Sequence, residues 1–277
     1  MTAIPRRAAP AAALLTALFV SGGTGLAAAE TLMPHRAGYV LSLDPSKPSQ
    51  KLDGADGRID YEIRGNSCEG YTVALRQSNR LDTGEGPSAE SDMLSTSWED
   101  GKGEAYRFKT VTRANGQVKS DVDAIATRSD GGVTVQITKP RRESVELKGP
   151  ILMPTEHVRK VLAAAAAGES ILQARVFDGS ETGEKVYDTL AVIGRPGKAA
   201  ADLPEAARTA LADETVYPVT VSYFDGAGDQ QTPVYAMSLS LYANGVIGGL
   251  KIDYNDFVLR GVLDRFEPLK PDATCAK

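Results

Sequence analysis

Residues 233–269, PVYAMSLSLYANGVIGGLKIDYNDFVLRGVLDRFEPL, carry the clearest fold signal in the chain. Asn244-Gly245 separates two apolar runs, and a type I′ hairpin turn needs positive φ at both central residues, which Asn and Gly tolerate best. Counting outward from that turn pairs Ala243 with Val246, Leu241 with Gly248, Leu239 with Leu250, Met237 with Ile252 and Tyr235 with Tyr254. A second turn at Asn255-Asp256 sets Tyr254 opposite Phe257 and Ile252 opposite Leu259. Both turns and the period of two place the same residues on one side. The segment therefore predicts a three-stranded antiparallel meander with one apolar face.

The rest of the chain repeats this grammar. Alternating runs occur at Arg36–Leu43, Ile59–Ile63, Tyr71–Leu75, Met93–Trp98, Tyr106–Val111, Val122–Ala126, Val133–Ile137, Val145–Leu147, Ile171–Phe177, Val186–Ile193 and Val216–Phe224. Turn residues divide them at the spacing of a barrel or sandwich. About a dozen strands are expected, with polar connections over residues 78–90 and an Ala-rich one over 195–213. The fold class is all-β, mainly antiparallel, with one amphipathic helix. That helix, Pro154–Ala167, carries Val158, Val161, Leu162, Ala165 and Ala166 on one face. Pro154 suits its first turn and Gly168 its end. Gly248 and Gly261 leave hollows on the apolar face of the meander, so the helix is expected to pack there.

Met1–Ala29 reads as a secretory leader: Arg6 and Arg7 precede an apolar run over residues 11–20, and Ala27-Ala28-Ala29 offers a cleavage site. Gly22, Gly23 and Gly25 break that run well short of the ~20 apolar residues a transmembrane anchor needs. Cleavage removes two arginines and no acid, so 31 Lys and Arg against 36 Asp and Glu become 29 against 36 in residues 30–277, a net charge of −7. That balance argues against nucleic-acid partners. Cys68 and Cys275 are the two cysteines. In an exported chain such a pair reads as a disulfide, with two buried thiols as the alternative. A bond between them would close nearly the whole mature chain and favour one domain over residues 30–277.

The chemistry-bearing residues are few. His35 and His157 are the two histidines, short of the three or four ligands a zinc site wants. The acidic stretches Asp53–Asp60 and Asp178–Gly183 lack the twelve-residue calcium-loop pattern and read as Asp-Gly turns. No serine elbow or converging acid, base and nucleophile set is visible, which disfavours an enzyme; no cofactor or metal is implied. Arg141, Arg142, Lys148, Arg159 and Lys160 concentrate positive charge beside the helix. They read either as a solvated face or as a cationic rim where a greasy concave sheet takes an anionic amphiphile such as a lipid. Trp98, the one tryptophan, reads as core filler or as part of a cavity mouth or partner surface.

Several stretches together resemble the EipB cell-envelope integrity proteins of the α-proteobacterial periplasm. They are HRAGYVLSL (His35–Leu43), GNSCEGY (Gly65–Tyr71), TSWEDG (Thr96–Gly101) and the PTEHVRKVLAAAAAGE helix. VFDGS (Val176–Ser180), NGVIGGLKIDYNDF (Asn244–Phe257) and the terminal Cys275 complete the set. The resemblance implies a single antiparallel sheet coiled into a β-spiral like an open barrel, with Cys68 and Cys275 tying the chain end to an early strand. It also implies periplasmic localisation, support of the envelope without known catalysis, and association with a periplasmic tetratricopeptide-repeat protein.

Overall fold

The meander at residues 233–269 is present, and its register is the expected one over most of its length. Met237 pairs with Ile252 and Leu239 with Leu250, and across the next turn Ile252 pairs with Leu259 and Leu250 with Gly261. The loop at Asn244-Gly245 differs. Only Gly245 has positive φ (86°), and the Gly245 N–H donates to the Tyr242 carbonyl while the Tyr242 N–H donates to the Val246 carbonyl. This is a three-residue loop closed by a bulge, so Leu241 meets Ile247 rather than Gly248. The Asn244 carbonyl accepts the Met33 N–H at 2.8 Å, so the loop also anchors the segment leading into the first strand. A two-residue turn with both φ positive does form, at Asn115-Gly116 (49° and 76°).

This computed structural model describes residues 31–49, 51–200, 202–226 and 232–271. The expected leader and Cys275 lie outside them. The first eight strands are β1 (His35–Leu43), β2 (Gly54–Asn66), β3 (Gly70–Asp82), β4 (Ala89–Glu99), β5 (Ala105–Ala114), β6 (Gln117–Ser129), β7 (Gly132–Lys139) and β8 (Glu143–Lys148). Then follow β9 (Ile151–Leu152), helix α1 (Pro154–Ala166), β10 (Ile171–Phe177), β11 (Val186–Ile193), helix α2 (Glu205–Ala210), β12 (Val216–Asp225), β13 (Tyr235–Tyr242), β14 (Ile247–Asp253) and β15 (Val258–Pro268).

All fifteen strands belong to one sheet, ordered β8-β7-β6-β5-β4-β3-β2-β1-β15-β14-β13-β12-β11-β10-β9. Two antiparallel meanders are thus joined at their first and last strands, with His35 opposite Pro268 and Leu43 opposite Leu259. The β9–β10 pair is parallel, and α1 is its crossover, as parallel neighbours require. The sheet coils until its two margins overlap. Tyr106, Phe108, Val122, Val133 and Val135 of one margin share a core with Ile151, Met153 and Phe177 of the other. The result is a nearly closed, barrel-like wall.

On β1, β2 and β15 the inward positions are mainly apolar and the outward ones mainly charged, with Val40 and Val262 exposed among them. Arg36, Arg58, Asp60, Glu62, Arg64, Asp264 and Arg265 form ion pairs across the convex face of β1, β2 and β15. Charges at mid-strand oppose the outward apolar band of a membrane barrel. Among the described residues no helix is long and apolar enough to cross a membrane.

Three expectations need correction. The connection expected over residues 78–90 shrinks to 83–88, because β3 and β4 continue as a ladder to the Leu81–Ala89 pair. The Ala-rich stretch after residue 195 contains α2, whose Ala207 is buried with Leu203 and Leu211 among β1, β14 and β15. Helix α1 does bury Val161 and Leu162 inside the coil, but chiefly against Ile63, Tyr71, Val219, Val221 and Leu241. The hollow at Gly248 is filled by Tyr242 and Leu203, and that at Gly261 by Leu250 and Leu41.

Candidate functional site

The lumen of the coil has two ends with different contents. At one end α1 and α2 act as plugs. The N-cap of helix α1 is Met153, whose thioether is a far weaker acceptor than the side-chain oxygen an N-cap usually supplies. The buried Glu99 of β4 takes over, its Oε2 accepting the Thr155 N–H and its Oε1 the Glu156 N–H, both at 2.7 Å. Burial pushes the Glu99 carboxyl up from its usual range, opposed by these donors. A carboxylate at a helix N-terminus also meets the positive end of the helix dipole. Glu156 in turn accepts from Arg128 Nη2 at 2.6 Å, and Arg128 Nη1 donates to the Ile151 carbonyl at 3.0 Å. The other end of α1 closes on Gly168 (φ 76°), with the Glu169 N–H donating to the Ala164 carbonyl.

His157 and His35 are both core residues. His157 lies in the first turn of α1, and its Nε2 is buried without a partner; burial brings its pKa down to about 4. His35 packs between Tyr61 and Phe266, with Nδ1 2.7 Å from the Met33 carbonyl oxygen, and burial lowers its pKa. Among the described residues no three His, Cys, Asp or Glu side chains cluster as metal ligands.

The opposite end of the lumen is lined by tyrosines. Inward positions of β11, β12 and β13 hold Tyr187, Tyr223 and Tyr235, and Tyr254 follows directly after β14. The Tyr223 and Tyr235 rings stack at 4.4 Å, and Tyr187 stands edge-on to them at 5.8 and 5.9 Å. Tyr254 and Phe257 extend the row. Facing strands offer Gln77, Met93, Ser95 and Thr110, and like Tyr223, Tyr235, Tyr254 and Phe257 these are only partly buried. At the plugged end, by contrast, Ile63, Tyr71, Val219 and Leu241 are buried.

The segment between β10 and β11 closes this end against the β5–β7 wall. A Cβ at Gly179 would lie 2.3 Å from Phe108, and one at Gly183 would lie 2.9 Å from Val122. Ser120 Oγ donates to the Glu181 carbonyl at 3.1 Å, and Glu181 itself sits at φ 57°. Asp178 begins the segment. Its Oδ1 accepts the Ser180 N–H at 2.9 Å, and it forms no ion pair among the described residues. Burial raises the pKa of Tyr106, Tyr187, Tyr223 and Tyr235, the Asp178 carboxylate in coulombic range adds to each shift, and burial raises the pKa of Asp178 itself. Lys185 is committed elsewhere, to Asp225 at 2.8 Å and Glu181 at 3.4 Å, with its ammonium 5.3 Å from the Tyr187 ring centre.

The candidate binding residues read from the sequence do not converge. Arg141 and Arg142 lie exposed before β8, Arg141 paired with Glu143, whereas Lys148 lies at the far end of that strand. Arg159 Nη1 donates to the Gly101 carbonyl at 2.8 Å, tying α1 to the β4–β5 turn, while Lys160 is exposed. Trp98 is not core filler. It stands partly buried on the convex face, opposite Thr72 and Arg107, with the Arg107 guanidinium 5.9 Å from its ring centre. Sequence reasoning put Tyr235 and Tyr254 on one face but missed Tyr187, Tyr223 and Asp178. The signal available was the inward register of β11 and β12, which only the full sheet order supplies.

Residues 26–270 match the EipB-like family profile. A curated relative, cell envelope integrity protein EipB of Brucella abortus (strain 2308), is 34% identical over 261 residues, covering 93% of this chain and 92% of the relative. A solved structure, described as a beta-barrel-like protein of domain of unknown function DUF1849 from Brucella abortus, superposes with a TM-score of 0.79 at 33% identity. The match covers 86% of this chain and 99% of that one.

Proposed function

The chain belongs to the EipB-like family, and from that premise we propose that it helps maintain the cell envelope as an exported, non-enzymatic periplasmic protein. The observation that carries this reading is the near full-length identity to a protein named for envelope integrity. Export rests on the leader pattern at Met1–Ala29, with residues 30–277 as one mature domain. A Cys68–Cys275 disulfide fits the oxidising compartment; Cys68 is not a free thiol, and Cys275 is the other cysteine in the sequence. The protein acts through association with a periplasmic tetratricopeptide-repeat partner, and the charged convex face around the partly buried Trp98 is the surface offered to it. The test pairs two measurements: detergent sensitivity of a deletion strain with and without the gene, and affinity capture from envelope extract. Complementation together with stoichiometric capture of a repeat protein supports the proposal; normal envelope resistance in the deletion strain refutes it.

A second reading, carriage or sensing of an amphiphile in the concave face, is favoured by one observation. The plugged end is filled by its own side chains, whereas the tyrosine-lined end is only partly buried.

A further inference from the structure

We propose that the tyrosine-lined end of the lumen binds a methylated ammonium head group, with the Tyr187, Tyr223 and Tyr235 rings as its cage and the Asp178 carboxylate as its counter-charge. The proposal stands apart from the envelope role. It deepens the second reading by assigning the sign of the head group, and that sign is opposite to the anionic amphiphile suggested by the basic stretch at residues 139–160.

Aromatic faces attract cations within about 6 Å, and quaternary ammonium recognition by ring clusters uses that attraction in a desolvated site. Here two rings stack at 4.4 Å and a third meets both edge-on, so three phenols are fixed relative to one another before any ligand arrives. The Asp178 carboxylate lies within coulombic range of all three hydroxyls. One of its oxygens is held by the Ser180 N–H, and neither is neutralised by a cation among the described residues. A desolvated carboxylate without an ion pair is costly, and a bound cation removes that cost. The upward shift of the Asp178 pKa agrees with this environment.

The internal cation nearest the cage does not satisfy it. Lys185 is anchored by Asp225 and Glu181 and serves the Tyr187 ring, whereas the Tyr223–Tyr235 pair carries no cation among the described residues. The segment that presents Asp178 is also held under constraint. Glu181 adopts the left-handed region, and the backbone at Gly179 and Gly183 runs so close to Phe108 and Val122 that neither position has room for a Cβ. A left-handed non-glycine residue beside a buried carboxylate that has no ion pair among the described residues is the pattern of a preorganised site. The residues facing the cage on β3, β4 and β5, Gln77, Met93, Ser95 and Thr110, are only partly buried.

The experiment titrates the mature oxidised protein with choline, with its neutral isostere 3,3-dimethylbutanol, with dodecyltrimethylammonium and with dodecyl sulfate, read by calorimetry and tyrosine fluorescence. Saturable choline binding is expected, with the isostere weaker by about tenfold or more and Asp178→Asn weakened to a similar degree. Tyr235→Phe should retain binding and Tyr235→Leu lose it. Dodecyltrimethylammonium binding much more tightly than choline identifies a lipid head group as the source, and equal affinity identifies a free amine. The proposal is overturned if choline does not saturate by ~10 mM, if the isostere or dodecyl sulfate binds as well as the cations, or if Asp178→Asn binds like the parent. The isostere comparison needs no variant, so it stands even if a substitution unfolds the chain.

Discussion

Acidification should loosen this protein through His157. The side chain is buried in the first turn of α1, its Nε2 has no acceptor or donor opposite it, and burial brings its pKa from 6.5 down to about 4. In the unfolded chain the imidazole protonates near its ordinary value. The folded state therefore holds fewer protons than the unfolded state between these two values. Stability is at its full level above pH 6.5, falls as the pH drops toward 4, and levels off below that. Linkage gives a loss of about 2 kcal/mol at pH 5 and about 3 kcal/mol at pH 4 relative to pH 7. Other groups contribute: His35, also lowered by burial, acts in the same direction, and Glu99, raised by burial, acts in the opposite one. The measurement is thus a difference. Urea unfolding of the parent and of His157→Leu, followed by far-ultraviolet circular dichroism at pH 7, 6 and 5, isolates the histidine. Leucine fills similar space without an orphaned nitrogen, so its stability should lack the histidine's pH slope. A parent-minus-variant difference that stays flat between pH 7 and 5 refutes the reasoning.

Three further outcomes follow from named contacts. Gly179→Ala should cost more than about 1 kcal/mol and lower Tm, because Gly179 has φ 72° and an added Cβ would strike the Phe108 ring; an unchanged Tm contradicts that geometry. Reduction of the proposed Cys68–Cys275 bond should lower unfolding stability by up to about 5 kcal/mol, measured by urea titration with and without dithiothreitol. Equal midpoints would count against the bond. Acrylamide should quench Trp98 fluorescence strongly and Arg107→Ala should enhance quenching, since the guanidinium covers the ring; a shielded spectrum would contradict the convex placement.

The parts legible in the sequence were those set by neighbours in the chain. Ile252 against Leu259 follows from a turn and a period of two, and the burial of Val161 and Leu162 follows from helical spacing. The Asn244-Gly245 loop departed from its expected geometry because the Asn244 carbonyl is engaged by Met33, a residue 211 positions away, and a bulge absorbs the difference. Strand β9 has two residues and exists because β10 lies beside it; no periodicity can be read in so short a run. Helix α2 is one and a half turns of alanine-rich chain, stabilised by burying Ala207 and Leu211 rather than by propensity. The cap on α1 was hidden for a similar reason: its acceptor, Glu99, is 56 residues from Thr155. The tyrosine cage required knowing that β11 to β14 stand side by side and which way each one faces.

The pairing of β1 with β15 has a consequence for biogenesis. His35 emerges early in synthesis and Pro268 among the last residues, yet they meet in the middle of the wall rather than at its margins. As the chain emerges from synthesis the first meander can zip up while the unsatisfied flank of β1 waits for its mate, a template for pairing with foreign strands. Closure of the seam is therefore the slow, long-range event. A chaperone that shields that flank until the tail arrives would raise the yield of native molecules.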